Sequence, residues 1–229
     1  SVPLIFGSMS GLLCERSGVV NIAIEGQLLF GAFAAAVVGT VTHSAWAGLA
    51  AAMIGAMLVS LVLAVFSIRY LVNQVIVGVV VNVLVSGLTG FLYSTVLSRQ
   101  ATTLNSPEHL PDWSVPGLSR IPVIGPVLFD QSLLVYVMFG VVALIWYGLN
   151  RTRWGLRTRA VGEHPQAADT LGVNVNRLRF GNVLLAGAVA GMGGAFFTLV
   201  SVSAFNKDMT AGQGYIAPVS YTHLRAHET

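Results

Sequence analysis

Asn150-Arg151-Thr152-Arg153-Trp154-Gly155-Leu156-Arg157-Thr158-Arg159 opens a stretch that closes at Arg177-Leu178-Arg179 and separates two long apolar segments. Arg151, Arg153, Arg157, Arg159, Arg177 and Arg179 make up half of the twelve lysine and arginine residues in the chain. A short arginine-rich loop between two membrane spans lies on the cytoplasmic side, so this stretch sets the orientation of every other segment. Within it, residues 162–172 read as one short helix: Gly162, Glu163, His164, Pro165, Gln166, Ala167, Ala168, Asp169, Thr170, Leu171 and Gly172. Pro165 suits a first helical position, where its missing N–H is not needed, and Gly172 suits the left-handed residue that ends a helix. A capped helix standing alone in a basic cytoplasmic loop offers a partner something to grip.

The remaining composition agrees with a membrane setting. The 229 residues are 55% hydrophobic and only 9% charged, with a mean hydropathy of +0.76, too little polar surface to cover a soluble globule. The expected fold class is all-α, a polytopic integral membrane helical bundle. A pI near 9.4 does not point to nucleic acid, because the basic residues gather in one inter-span loop without interleaved aromatics. Cys14 is the only cysteine, which excludes an intrachain disulfide and a cysteine-rich metal site.

Residues 1–14 are apolar from the start, without the basic flank of a signal peptide and shorter than the roughly twenty residues of a comfortable span. They read as the end of a first helix, so the chain is expected to be truncated there. Residues 18–41 read as a span with Asn21 and Glu25 one helical turn apart on one face. A carboxylate at that depth should face the bundle interior, a cavity, or a partner such as Arg16 or backbone donors. Gly31, Ala35 and Gly39, and again Gly48, Ala52 and Ala56, recur every four residues and would let helices approach closely.

Residues 45–68 form the next span, closed by Arg69. Residues 70–97 are longer than a bilayer needs and carry Asn73, Gln74, Asn82 and Ser86, so the segment is either tilted or broken. Asn82 and Ser86 share a face, with Gln74 rotated from Asn82 by roughly 80° at about 3.6 residues per turn. These polar groups either bond neighbouring helices or line a solute path. Residues 99–130, interrupted by Pro107, Pro111, Pro116, Pro122 and Pro126, are expected as a loop on the extracytoplasmic face. Residues 131–149 span back to the arginine stretch, and residues 180–203 carry a packing stripe at Gly187, Gly191 and Gly194. Residues 218–229 share nothing with this pattern and read as a foreign or disordered tail, the alternative being a genuine polar tail. His223 and His227, four apart within it, are given no weight as a metal site.

Three stretches carry a resemblance: residues 15–26, from Glu15-Arg16-Ser17-Gly18 to Glu25-Gly26; the loop from Gly155 through Pro165 to Gly172; and Gly212-Gln213-Gly214-Tyr215-Ile216-Ala217. They are similar to permease subunits of bacterial ABC importers in the branched-chain amino acid, ribose and simple-sugar class, most closely the nucleoside branch. The resemblance covers residues 1–217, with His164 and Gln213 standing where the pattern has asparagine and arginine. It implies a transport subunit in the bacterial inner membrane that moves nucleosides or related sugar-containing solutes inward by alternating access. The implied partners are a cytoplasmic ATP-binding subunit, a second permease in a homo- or heterodimer, and an extracytoplasmic solute-binding protein. No cofactor or metal is implied.

The chain's one lysine, Lys207, sits between Asn206 and Asp208 and not in a phosphate-cradling G-x-x-x-x-G-K-[ST] loop, so the chain does not power transport itself, and the capped helix in the basic loop favours a permease driven by a partner. An ion-coupled or passive carrier is the alternative, and it calls for internal repeats with matching broken helices. A membrane-embedded enzyme would need convergent acids, bases or ligands at membrane depth, where Glu25 stands alone. The solute-path candidates are therefore Asn21, Glu25, Asn73, Gln74, Asn82 and Ser86. The ATPase-coupling candidates are Gly162, Glu163, His164, Pro165, Ala167, Ala168, Leu171 and Gly172.

Overall fold

The computed structural model describes residues 2–97, 104–109, 112–114, 130–202, 204–206 and 208–216. Pro111, Pro116, Pro122 and Pro126, and the tail at 218–229, lie outside the described residues. Eight α-helices follow one another among the described residues: α1 (Val2–Arg16), α2 (Ile24–Thr42), α3 (Ala45–Ala64), α4 (Gln74–Leu92), α5 (Leu133–Arg151), α6 (Arg153–Glu163), α7 (Pro165–Thr170) and α8 (Val175–Phe196). Widened π-type turns prolong α3, α4 and α8 at Val65–Arg69, Tyr93–Leu97 and Phe197–Ser201. Asp112–Ser114 pairs antiparallel with Asp130–Ser132, Trp113 opposite Gln131, as a small ribbon between α4 and α5.

Among the described residues, five helical segments are long and apolar enough to cross a membrane: Ile24–Thr42, Ala45–Arg69, Gln74–Thr95, Leu133–Arg151 and Val175–Ser201. The chain is a polytopic helical membrane protein. Burial ranks these segments, since 78% of the most apolar window of the α8 segment is enclosed, against 22% for α5. Accordingly α8 is the central pillar, packed on α1, α2 and α3, and α5 stands at the edge with Leu144, Trp146 and Tyr147 turned outward.

Small residues make that centre possible, because lipid supplies no hydrophobic drive between helices and close backbone approach must supply the attraction. A Cβ placed on Gly191 would overlap the Ala52 carbonyl of α3, and one on Gly194 would overlap the Leu28 carbonyl of α2. Gly31 faces Gly191, and Gly48 faces Gly39, so all three expected stripes lie at helix contacts.

Helix starts follow side-chain caps. Ser44, Asn73, Thr152 and Asn174 each accept a backbone N–H from the first turn they precede, which satisfies one of the orphan donors there. The same kind of local chemistry corrects one expected span and decides between the alternatives left for another. The helix expected from residue 18 starts at Ile24, because Gly18 is left-handed at φ +77° and the Asn21 side chain takes the Ala23 N–H at 3.1 Å, closing a turn where a helix would otherwise run. Asn21 and Glu25 therefore do not share a helical face. The segment 70–97 is broken near its start: Leu71 has φ +54°, and α4 begins only at Gln74 under the Asn73 cap.

Candidate functional site

Residues 18–23 are non-helical and are held by two side chains of α4. Gln74 Oε1 accepts from Val20 N at 2.6 Å. Asn82 Oδ1 accepts from Gly26 N at 2.8 Å, while its Nδ2 donates to the Ile22 carbonyl at 2.8 Å. Gln74 and Asn82 are eight residues apart, about 12 Å at a rise of about 1.5 Å per residue. The first turn of α2 therefore opens about that far inside the layer, measured from the start of α4. Non-helical backbone at membrane depth is tolerated where protein groups satisfy it, which Gln74 and Asn82 do here.

The chain beyond α8 doubles back to meet this break. Asn105 clasps Phe205 by two bonds, accepting its N–H at 2.6 Å and donating to its carbonyl at 3.0 Å. The Phe205 ring stands edge-on to Phe33 of α2, centroids 5.4 Å apart, and contacts Tyr93 at 6.0 Å. From there residues 208–216 descend along α2 to Glu25, eight residues and about 12 Å before Phe33. Glu25 Oε1 accepts from Thr210 Oγ1 at 2.6 Å and from Gly212 N at 3.0 Å; Oε2 accepts from Gly214 N at 2.7 Å. Gly214 sits so close to the Glu25 backbone that a Cβ there would overlap it. The partner of Glu25 is thus this returning segment and not Arg16, which the non-helical stretch 18–23 holds away from it.

Between α2, α4 and the returning segment lies a cavity of about 220 Å³, bordered by Glu25, Gly26, Asn82, Ser86, Asp208 and Tyr215 among others. Of the six solute-path candidates, Glu25, Asn82 and Ser86 border it. The other three hold backbone: Asn21 is buried against Gln27 at 3.1 Å, Asn73 caps α4, and Gln74 holds Val20. Asp208, Thr210 and Tyr215 were not among the candidates, although Gly212-Gln213-Gly214 marked their neighbourhood.

At the arginine-rich end, α6 is a second helix beside the short one expected within this stretch. Asn182 of α8 fastens it, accepting from Trp154 Nε1 at 3.1 Å and donating to Thr158 Oγ1 at 3.2 Å. Gly162 and Glu163 belong to the last turn of α6 and not to the short helix, and Gly162 lies against the Arg16 carbonyl. The short helix α7 starts at Pro165 and ends before Gly172, whose φ is +80°. Ala168 is buried at 3% exposure, while Ala167 and Leu171 are exposed, Leu171 at 84%. Arg179 ties this end together, donating from Nε to the Ser17 carbonyl at 3.0 Å and from Nη2 to the Val161 carbonyl at 3.4 Å.

The family model described as branched-chain amino acid transport system / permease component matches residues 1–220. The chain belongs to this permease family. The nucleoside ABC transporter permease protein NupC of Lactococcus lactis is 39% identical to the permease over 225 residues, 95% of this chain and 70% of that protein. The guanosine ABC transporter permease protein NupQ of Bacillus subtilis is 36% identical over 224 residues, again 95% of this chain and 70% of that protein. A putative glucose ABC transporter permease of Haloferax volcanii is 34% identical over 218 residues, 93% of this chain and 64% of that protein. No solved structure matches the permease significantly.

Proposed function

We propose that this permease is a transmembrane subunit of an ABC importer in a bacterial inner membrane, moving nucleosides or related sugar-containing solutes inward by alternating access. It works with two cytoplasmic ATP-binding subunits, a second permease in a homo- or heterodimer, and an extracytoplasmic solute-binding protein. The observation that carries the solute path is the polar cavity at the start of α2. A helix N-terminus presents backbone N–H groups and the positive end of its dipole to a solute. The cavity adds an acceptor carboxylate at Asp208, a hydroxyl at Ser86 and an aromatic face at Tyr215, groups suited to sugar hydroxyls and a planar base. At about 220 Å³ it suits a small solute, below the roughly 300–1,000 Å³ of pockets for drug-sized ligands. The similarity to nucleoside and guanosine permeases supports the solute class.

Uptake of labelled guanosine into vesicles holding the complete importer tests it. Guanosine uptake should saturate, require ATP and be competed by other nucleosides; competition by hexoses or leucine with none from nucleosides would overturn the solute assignment. The coupling surface is tested separately. The exposed face of α7, with Ala167 and Leu171, docks in a cleft of the ATP-binding subunit, and Ala168 only seats α7 on the permease itself. Ala167→Glu should lower co-purification of the ATP-binding subunit about fivefold, equivalent to about 1 kcal/mol of lost docking, with membrane insertion unchanged. Full co-purification with full uptake would place the contact elsewhere on the cytoplasmic face.

A further inference from the structure

We propose that the cleft between α1 and α5 is a binding site for one anionic phospholipid of the cytoplasmic leaflet, independent of the solute path. The cleft encloses about 290 Å³ and has walls of Met9 and Leu12 on α1 and Ile145 and Leu149 on α5. Arg16 and Arg159 close one end of it. That end is the arginine-rich face, where the last turns of α1 and α5 meet α6, so apolar walls lead to paired guanidiniums at headgroup depth. This order, acyl chain within the layer and phosphate at its edge, matches a phospholipid, and the charge matches an anionic one.

The arginines are placed to be used. Arg159 Nε is buried with no hydrogen-bond partner, a donor that a phosphodiester oxygen would satisfy. The Arg16 side chain is exposed at the end of α1. Glu15 is adjacent in sequence but points about 100° away around the helix and does not border the cleft. Trp146 borders the cleft and is 60% exposed, the position of an interfacial aromatic that sits beside a lipid glycerol region. Basic pockets between membrane helices on the cytoplasmic side hold anionic headgroups for these reasons. A further segment of permease chain, or a second copy, would need an acidic group at the same end to satisfy both arginines.

The test uses the complete importer in phosphatidylcholine vesicles doped with brominated lipid, reading the Trp146 signal as the fluorescence difference between the unmodified importer and its Trp146→Phe variant. Brominated phosphatidylglycerol should reach half-quenching at a mole fraction about fivefold lower than brominated phosphatidylcholine. Arg16→Gln and Arg159→Gln together should erase that preference, and Arg159→Lys should keep part of it. Arg16→Gln alone, at an exposed position, should reduce the preference without disturbing the fold, so the outcome does not depend on the buried site tolerating change. Equal quenching by the two lipids in the unmodified importer would overturn the proposal. No quenching by either would show the cleft filled by protein, and loss of the preference on adding inorganic phosphate would show a simple anion site; either result also overturns it.

Discussion

Glu25→Gln in the complete importer should reduce the maximal uptake rate by roughly ten- to hundredfold while leaving the permease in the membrane, with a lower melting temperature. All three groups facing the Glu25 carboxylate are donors: the Thr210 hydroxyl and the Gly212 and Gly214 amides. A carboxylate offers only acceptors, so it suits this cage. Glutamine replaces one acceptor oxygen with an NH₂ group and sets donor against donor, wherever the amide is turned. Hydrogen bonds to a charged group contribute about 1.5–3 kcal/mol each, so losing one corresponds to roughly one to two powers of ten. The bonds tie the returning segment 208–216 to the first turn of α2 at the border of the cavity, and the expectation is that they act as a latch there. A latch predicts a fall in rate and in melting temperature with KM for solute nearly unchanged. Thr210→Val, which removes a single donor and leaves the carboxylate two partners, should have a smaller effect in the same direction. Normal uptake at normal yield in Glu25→Gln would rule out the latch, and a raised KM with unchanged melting temperature would make Glu25 a solute contact instead.

The parts of this architecture that obey local chemistry could be read in advance. Ser44, Asn73, Thr152 and Asn174 sit where helices begin, Gly172 where α7 ends, and the small residues at Gly31, Gly48, Gly191 and Gly194 where helices touch. Each of these signals acts within a few residues or repeats at helical spacing. The break in α2 is of another kind. Residues 18–23 contain Val19, Val20 and Ile22 and pass for the start of a span; Gly18 and the Asn21 turn interrupt the helix locally, and partners 54 to 60 residues away, Gln74 and Asn82, hold the Val20 and Ile22 backbone groups. No pattern in residues 18–23 records those partners.

The same limit governs the site. Glu25, Asn82 and Ser86 stood out because polar groups are costly in an apolar span. Asp208, Thr210 and Tyr215 did not, since they follow the last span in a stretch without periodicity, and the Thr210 bond to Glu25 crosses 185 residues of chain. α6 escaped for a related reason. Its arginines read only as an orientation signal, and what fastens it as a helix is one buried asparagine, Asn182, set in α8 behind it.

Arg179→Gln should uncouple the importer: ATP hydrolysis and co-purification of the ATP-binding subunit should persist while uptake falls by more than about tenfold. The expectation rests on where the guanidinium reaches. One arm of Arg179 holds the Val161 carbonyl, one turn before the end of α6 and the start of α7. The other holds the Ser17 carbonyl, the last residue before the non-helical stretch that ends at Ile24 and the cavity. Gly162 pressed against Arg16 makes a second contact between the same two segments, too close for any side chain. If the ATP-binding subunit docks on α7 as proposed, a displacement of α7 should pass through α6 to residues 17–23, and from there to the Asn82 and Glu25 bonds that frame the cavity. Both carbonyls accept from one charged donor, each such bond contributing about 1.5–3 kcal/mol, and glutamine is too short to span them. The surface of α7 is untouched by this substitution, so docking is retained, and only the link between docking and the α2 break is cut. Gly162→Ala, which forces the Arg16 backbone away without removing a donor, should show the same split between hydrolysis and uptake. Hydrolysis and uptake falling in equal proportion in Arg179→Gln, with the ATP-binding subunit lost on purification, would instead mean that Arg179 serves the docking surface and that coupling runs through α5 or α8.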